Sequence, residues 1–211
     1  MIYTENIFIA LAIPLAVAVF LLKGDARRLF GFFLLGNTIC LLASYINSFL
    51  ASVLGMTEWE LVVRVTPVFE ETLKAFPVFF LFAIFRPDRK ELFTSAVAIG
   101  LGFATLENVC LIVNYGASDF FFVLLRGLSA GVMHTTCAAI LGYGLSRISI
   151  NRLVLLPGAL GLLCAVSVFH GIYNLFVTAW GIWRIVGYAL PVVMASATFV
   201  FTRLSSKADK Q

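Results

Sequence analysis

The sequence predicts an all-α polytopic membrane protein, a bundle of about seven transmembrane helices. The first observation is composition: 61% of the 211 residues are hydrophobic and only 12% are charged, with a mean hydropathy of +1.01. A soluble domain of this length cannot bury so much apolar surface. The second is pattern: long apolar runs without strict alternation favour helices over a closed barrel, the two structures that satisfy backbone hydrogen bonds in lipid.

Seven apolar segments are long enough to cross a bilayer. They follow one another through short connections, with no linker or separate soluble domain between them. We therefore predict a single integral-membrane domain over residues 1–211. The predicted spans cover roughly residues 6–22, 29–54, 61–85, 91–115, 120–145, 153–180 and 185–203.

The connections between the spans alternate in charge. By the positive-inside rule, basic connections lie in the cytoplasm. This places the N-terminus outside and the C-terminus in the cytoplasm. The basic side holds Lys23, Arg27, Arg28, Arg86, Arg89, Lys90, Arg147, Arg152, Arg203, Lys207 and Lys210, and the opposite side holds Glu58, Glu60, Asp119 and Arg184.

Four of the predicted spans contain charged or strongly polar side chains. A charge at the centre of a spanning helix costs about 2.5–3.5 kcal/mol. One or two polar residues can join helices by hydrogen bonds, but this set is larger than a bundle of this size needs for packing. We expect a shared polar chamber in the outer-to-middle part of the bilayer. Its candidate members are Glu70, Glu71, Lys74, Glu107, Asn108, Arg126, His134, His170 and Asn174.

Helical spacing predicts how the third span presents its charges. Glu70 and Lys74 are four residues apart, share a face and can form an ion pair. Glu71 points about 100° away and is free to face another helix. Because Lys74 is expected to hold Glu70 ionised, we predict Glu71 as the general base. Pro67 and Pro77 bracket the glutamates and predict a kinked or locally open helix.

Carboxylates and histidines in one water-poor chamber can activate water for hydrolysis. In the predicted mechanism, the general base deprotonates a water that attacks a scissile carbonyl. His170 and Asn174 are four residues apart and would stabilise the oxyanion through their N–H groups. Glu107 and His134 would position the water, a metal or each other.

Zinc is the alternative way to activate the water. Glu107, His134 and His170 lie on separate predicted helices and can converge in an open tetrahedral site. We nevertheless expect no cofactor, because Lys74 and Arg126 offset two of the three carboxylates. A divalent cation would then leave net positive charge in a low-dielectric site. The chain has no HExxH motif and no aspartate in a predicted span.

A G-x-S-x-G pattern surrounds Ser129 in "GLSAG", residues 127–131. A nucleophile elbow needs a strand–turn–helix context, and this pattern lies within a predicted helix. Gly127 and Gly131 also form a GxxxG motif, which is typical of close helix packing. We therefore expect packing rather than a serine nucleophile.

Four short motifs, in order along the chain, resemble those of the PrsW-type intramembrane proteases. "EETLK" begins at Glu70 and matches EExxK, and "FATLEN" ends in Glu107 and Asn108 and matches FxxxEN. His134 matches an isolated histidine, and "HGIYN", which begins at His170, matches HxxxN. The resemblance covers roughly residues 60–180.

The resemblance implies proteolysis of membrane proteins in or near the bilayer, including regulated cleavage of anti-sigma factors. It also implies a relationship to the CAAX prenyl endopeptidases and bacterial Abi proteins, and a location in a prokaryotic cytoplasmic membrane. The expected partners are a membrane-embedded protein substrate and the lipid bilayer, with no nucleic acid. The oligomeric state is left open.

Two other functions are compatible with the polar set. Buried Glu, His and Lys side chains also form proton relays, as in a proton- or ion-coupled transporter or channel. The absence of a clear internal repeat disfavours the common transporter architectures. A non-catalytic membrane scaffold is the third alternative, and it is disfavoured because no motif residue is replaced by an inert one.

Overall fold

The computed structural model describes residues 3–115, 120–148 and 152–208, so that Asp119 and Lys210 of the predicted connections lie outside the described residues. The elements of this part of the chain are all helical, which confirms the predicted all-α polytopic bundle. The α-helices are α1 (Thr4–Leu21), α2 (Gly24–Leu54), α3 (Glu58–Glu60), α4 (Thr66–Phe80), α5 (Arg89–Tyr115), α6 (Phe120–Arg147), α7 (Arg152–Val177) and α8 (Ile182–Ala208).

Six of the described helices, namely α1, α2 and α5 to α8, are long and apolar enough to span a membrane. The predicted span 61–85 corresponds to a helical run from α3 to the end of a π-helical segment, Leu81–Phe85. Its α-helical part, α4, has only 15 residues and carries the paired glutamates. The third predicted span is therefore helical but interrupted, and it holds more charged residues than any other of the seven.

A π-helical segment, Leu61–Val65, leads directly into α4. Pro67 has no N–H to give to the carbonyl four residues earlier, which favours a wider turn at this point. Asn174 Nδ2 on α7 donates to the carbonyl of Val62 over 2.9 Å. The predicted opening near Pro67 is thus present as a π-helical turn. One carbonyl of this turn accepts a hydrogen bond from a side chain of α7.

Helix α5 lies between α2 and α6 and approaches both closely through glycines. An added Cβ at Gly36 or Gly102 would overlap the backbone of the facing helix, and one at Gly142 would overlap Ala96. Small residues permit such approach between membrane helices. This packing fixes α5 and α6, which carry Glu107 and His134, against one another.

The predicted packing role of the GxxxG motif is wrong for contacts within the described chain. A Cβ added at Gly127 or at Gly131 would meet no described atom within 4 Å. The motif alone does not show what the two glycines face. In the bundle, this face of α6 is turned toward open space. The close approaches are made by glycines outside the motif.

The orientation of the bundle stays a prediction that a topology experiment can test. We expect cysteines introduced at residues 55–58, between α2 and the π-helical segment, to react with an impermeant reagent added from outside. Cysteines introduced at residues 87–88 should be protected until the membrane is opened, because their surroundings are rich in Lys and Arg. The reverse labelling pattern would contradict the predicted orientation.

Candidate active site

Helices α4, α6 and α7 bring five of the predicted polar residues into one buried cluster. Glu70, Glu71, Lys74, His134 and His170 are all buried. The rings of the two histidines meet edge to face, with centroids 5.0 Å apart. The shared polar chamber expected from the sequence is therefore present in the structure.

Lys74 contacts a different glutamate from the one predicted. Its Nζ lies 2.6 Å from Glu71 Oε1 and 2.8 Å from His134 Nδ1. It also lies 4.6 Å from the ring centroid of Phe103. The predicted pair with Glu70 is wrong because the spacings of three and four residues are both compatible with a helical ion pair. His134 on α6 contacts Lys74 Nζ on the side where Glu71 lies, and this selects Glu71 as the partner.

Glu71 also orients the histidine on α7. Its Oε1 lies 2.8 Å from His170 Nδ1, so the neutral ring donates Nδ1–H to this carboxylate. The other nitrogen, Nε2, is then an acceptor and faces Glu70 Oε2 at 4.0 Å. A carboxylate that orients a histidine in this way is common beside catalytic metals.

His134 bridges the lysine and a third carboxylate. An ammonium only donates, so Lys74 Nζ makes His134 Nδ1 an acceptor and leaves the ring proton on Nε2. That Nε2 lies 2.8 Å from Glu107 Oε2. Arg126 lies 3.6 Å from the other oxygen of Glu107. A continuous series of polar contacts therefore connects α4 through α6 to α5.

The two carboxylate oxygens of Glu70 differ in their hydrogen bonding. Its Oε1 accepts a hydrogen bond from Asn47 Nδ2 over 3.1 Å. Its Oε2 is buried without a hydrogen-bond partner among the described residues. Sequence reasoning missed Asn47, although an amide within the second predicted span was the available signal; Asn37 is the other amide there. A buried carboxylate oxygen in this state can be satisfied by a bound water or ion.

Glu70, His134 and His170 each place one ligand atom within 4.8 Å of the others. One carboxylate oxygen and two imidazole nitrogens form a donor set that zinc uses in hydrolytic sites. The unsatisfied Glu70 Oε2 fits such an ion. The cluster thus joins the two histidines with Glu70, whereas the sequence-based ligand set had Glu107, which contacts His134 and Arg126.

Two residues considered in the sequence analysis, Asn174 and Ser129, lie around this cluster together with Tyr173. Asn174, the expected oxyanion donor, uses its amide on the carbonyl of Val62. Ser129 lies inside α6, and its Oγ is 3.0 Å from the hydroxyl of Tyr173. Tyr173 was missed although it is part of "HGIYN". It is fully buried and accepts a hydrogen bond from Arg126 over 3.2 Å.

Comparison with known families agrees with this geometry. Residues 25–202 match the family described as PrsW family intramembrane metalloprotease. The chain belongs to the PrsW family. No curated protein and no solved structure gives a significant match.

Membership in the PrsW family makes the chain an intramembrane protease, and therefore a hydrolase. Its substrate is a membrane protein and its surroundings are lipid, in agreement with the six long apolar helices. The family description also names a metalloprotease, which accords with the cluster of one glutamate and two histidines.

Proposed function

We propose that the protein is a metal-dependent intramembrane endopeptidase whose reaction centre is the cluster of Glu70, His134 and His170. The observation that supports this proposal is the buried Glu70 Oε2, which has no hydrogen-bond partner in the described part of the chain and faces His170 Nε2 at 4.0 Å. This replaces our sequence-based preference for a metal-free site. That preference counted Lys74 and Arg126 against two of the three carboxylates. The structure pairs Lys74 with Glu71 and Arg126 with Glu107, and among the described residues it leaves Glu70 without a lysine or arginine partner.

A divalent ion held by these three residues would polarise the scissile carbonyl and activate water. Glu71 holds the Nδ1 proton of His170 and leaves Nε2 free for a ligand. Lys74 offsets the charge of Glu71. His134 must give up one of its two present hydrogen bonds to serve as a ligand, either that from Lys74 or that to Glu107.

Glu107 is the carboxylate best placed to accept a proton from the attacking water. Its side chain is 25% exposed, against 9% for Glu70 and 3% for Glu71, so water reaches it most easily. Arg126 lies 3.6 Å from its other oxygen and donates a hydrogen bond to Tyr173. We therefore assign the general base to Glu107, in place of Glu71.

The substrate is a membrane protein, and we propose that it belongs to the anti-sigma-factor class that the family resemblance implies. The same resemblance supports a prokaryotic cytoplasmic membrane as the location and a distant relationship to the CAAX prenyl endopeptidase and Abi proteins. The substrate helix must unwind locally before cleavage, because helical carbonyls are already hydrogen-bonded.

Metal content tests the ligand assignment. Protein purified without chelators should contain about one zinc ion per chain, the stoichiometry of a single hydrolytic site. Glu70→Gln and His170→Asn should lose the metal and the activity together, because each removes a ligand atom. Glu107→Gln should keep the metal and lose turnover.

Glu60→Gln, on the exposed segment before α4, is the matched control and should keep both metal and activity. Full activity in protein that contains no metal, and that chelators do not inhibit, would contradict the proposal. It would return the reaction to a metal-free glutamate mechanism.

A further inference from the structure

The charged chamber is most open on the side of α5 and α6. Glu107 and Arg126 have side chains 25% and 23% exposed, whereas those of His134 and His170 are only 1% and 2% exposed. A reacting segment therefore approaches most easily between the C-terminal half of α5 and the N-terminal half of α6. A cavity of about 100 Å³ lies there, lined by Asn108, Leu111, Ile112, Phe122, Val123, Arg126 and Gly127.

Asn108 places a hydrogen-bond acceptor, its amide oxygen, beside this cavity. Its Oδ1 is buried without a hydrogen-bond partner among the described residues, and its Nδ2 makes a long bond of 3.4 Å to the carbonyl of Gly127. A primary amide can accept from a peptide N–H and donate to a peptide C=O. Its unfilled acceptor therefore matches the backbone of a peptide chain.

The neighbouring face of α6 leaves room for another backbone. Gly127 and Gly131 lie one turn apart, and neither would bring a Cβ within 4 Å of a described atom. Glycine at such a position permits a close approach of a second chain. This open face adjoins Asn108 and leads to the partly exposed Glu107 and Arg126.

We propose that this groove, formed by Asn108, Gly127, Gly131 and the apolar cavity beside them, binds the extended substrate segment next to the scissile bond. Asn108 Oδ1 accepts a backbone N–H of the substrate. The cavity takes one apolar substrate side chain, because its volume suits a side chain rather than a helix. The inference rests on the proposed proteolytic function and adds a backbone-binding position and a preference for an apolar residue.

A second copy of this chain is the competing occupant, since GxxxG faces also join membrane helices. The unfilled amide acceptor and the connection to the charged chamber favour the substrate. A partner helix has no free backbone N–H to give to Asn108, because its N–H groups are bonded internally. An unwound substrate segment has one.

The test measures cleavage of a membrane-derived peptide in detergent, and separately its binding to the Glu70→Gln variant by fluorescence anisotropy. Asn108→Leu and Gly127→Leu should each raise KM and Kd about tenfold or more, with little change in kcat. Asn114→Leu on α5 and Gly161→Leu on α7 are the matched controls. Asn114 is exposed and Gly161 faces open space, so both should leave KM and Kd unchanged.

A backbone ester scan of the peptide removes one N–H at a time and needs no change in the enzyme. One ester position should weaken binding about tenfold in the native site and have no effect when Asn108 is Leu. Equal sensitivity at that position in both proteins, or sensitivity at none, overturns the assignment of Asn108. The ester changes only the peptide, so its effect on binding to the protein that retains Asn108 does not depend on how Asn108→Leu folds.

The remaining outcomes distinguish the proposed groove from the proposed protease function. Cleavage by the native protein with unchanged KM in Asn108→Leu and Gly127→Leu overturns the groove and leaves the protease function intact. Absence of cleavage overturns the protease function, while the anisotropy measurement still decides the groove. A dimer that Gly131→Leu converts to a monomer, with peptide affinity unchanged, assigns the face to a second copy and overturns the proposal.

Discussion

Replacing Glu70 with Gln is expected to abolish proteolysis while the protein still inserts and folds. Gln keeps the oxygen that accepts from Asn47 and removes only the charge and the unfilled acceptor at Oε2. Gln is nearly isosteric with Glu, so the packing around this buried position should be kept. The rate should fall by about 10²–10⁴ or more, as for loss of an essential carboxylate.

The measurement is turnover of a membrane-protein substrate by purified protein, with thermal unfolding in detergent as the folding check. Glu60→Gln is the same substitution at a partly exposed position outside the cluster and should retain full activity. Substantial activity in folded Glu70→Gln would remove Glu70 from the reaction and leave Glu71 as the sequence-based candidate.

Replacing Lys74 with Met should be the most destabilising single change in the chamber. Lys74 is 2% exposed and bonds both Glu71 and His134. Its loss leaves Glu71 as a buried carboxylate without its cation, which costs about 3–5 kcal/mol. Activity should be lost as well, because Glu71 orients His170.

The double variant Lys74→Met with Glu71→Gln removes both charges and should recover most of the lost stability, but none of the activity. Chemical denaturation in micelles measures the difference between single and double variants. Lys90→Met, at an exposed position, controls for loss of a lysine. A single variant as stable as the double would show that Lys74 and Glu71 do not compensate one another.

The bundle and the membership of the polar chamber were predictable because both depend on local properties of the sequence. Apolar runs of sufficient length select spanning helices. Charges within them are costly enough that they must meet, as Glu71, Lys74, His134 and His170 do.

The partner of each charge was not predictable, because it depends on how neighbouring helices are rotated. Spacings of three and four residues both allow an ion pair, and only the position of His134 on α6 selects Glu71 over Glu70 for Lys74. The contact from Asn47 to Glu70 and the outward face of Gly127 depend on tertiary packing in the same way.

The most direct measurement of the central claim is cleavage of a single-span membrane protein by the purified chain in detergent, with the products identified by mass spectrometry. A protease needs no gradient, so we predict fragments cut within or near the span, absent with Glu70→Gln and present with Glu60→Gln. An intact substrate with folded native protein, together with ion flux through the same protein in liposomes, would contradict the account. Equal cleavage by Glu70→Gln would contradict its assignment of the site.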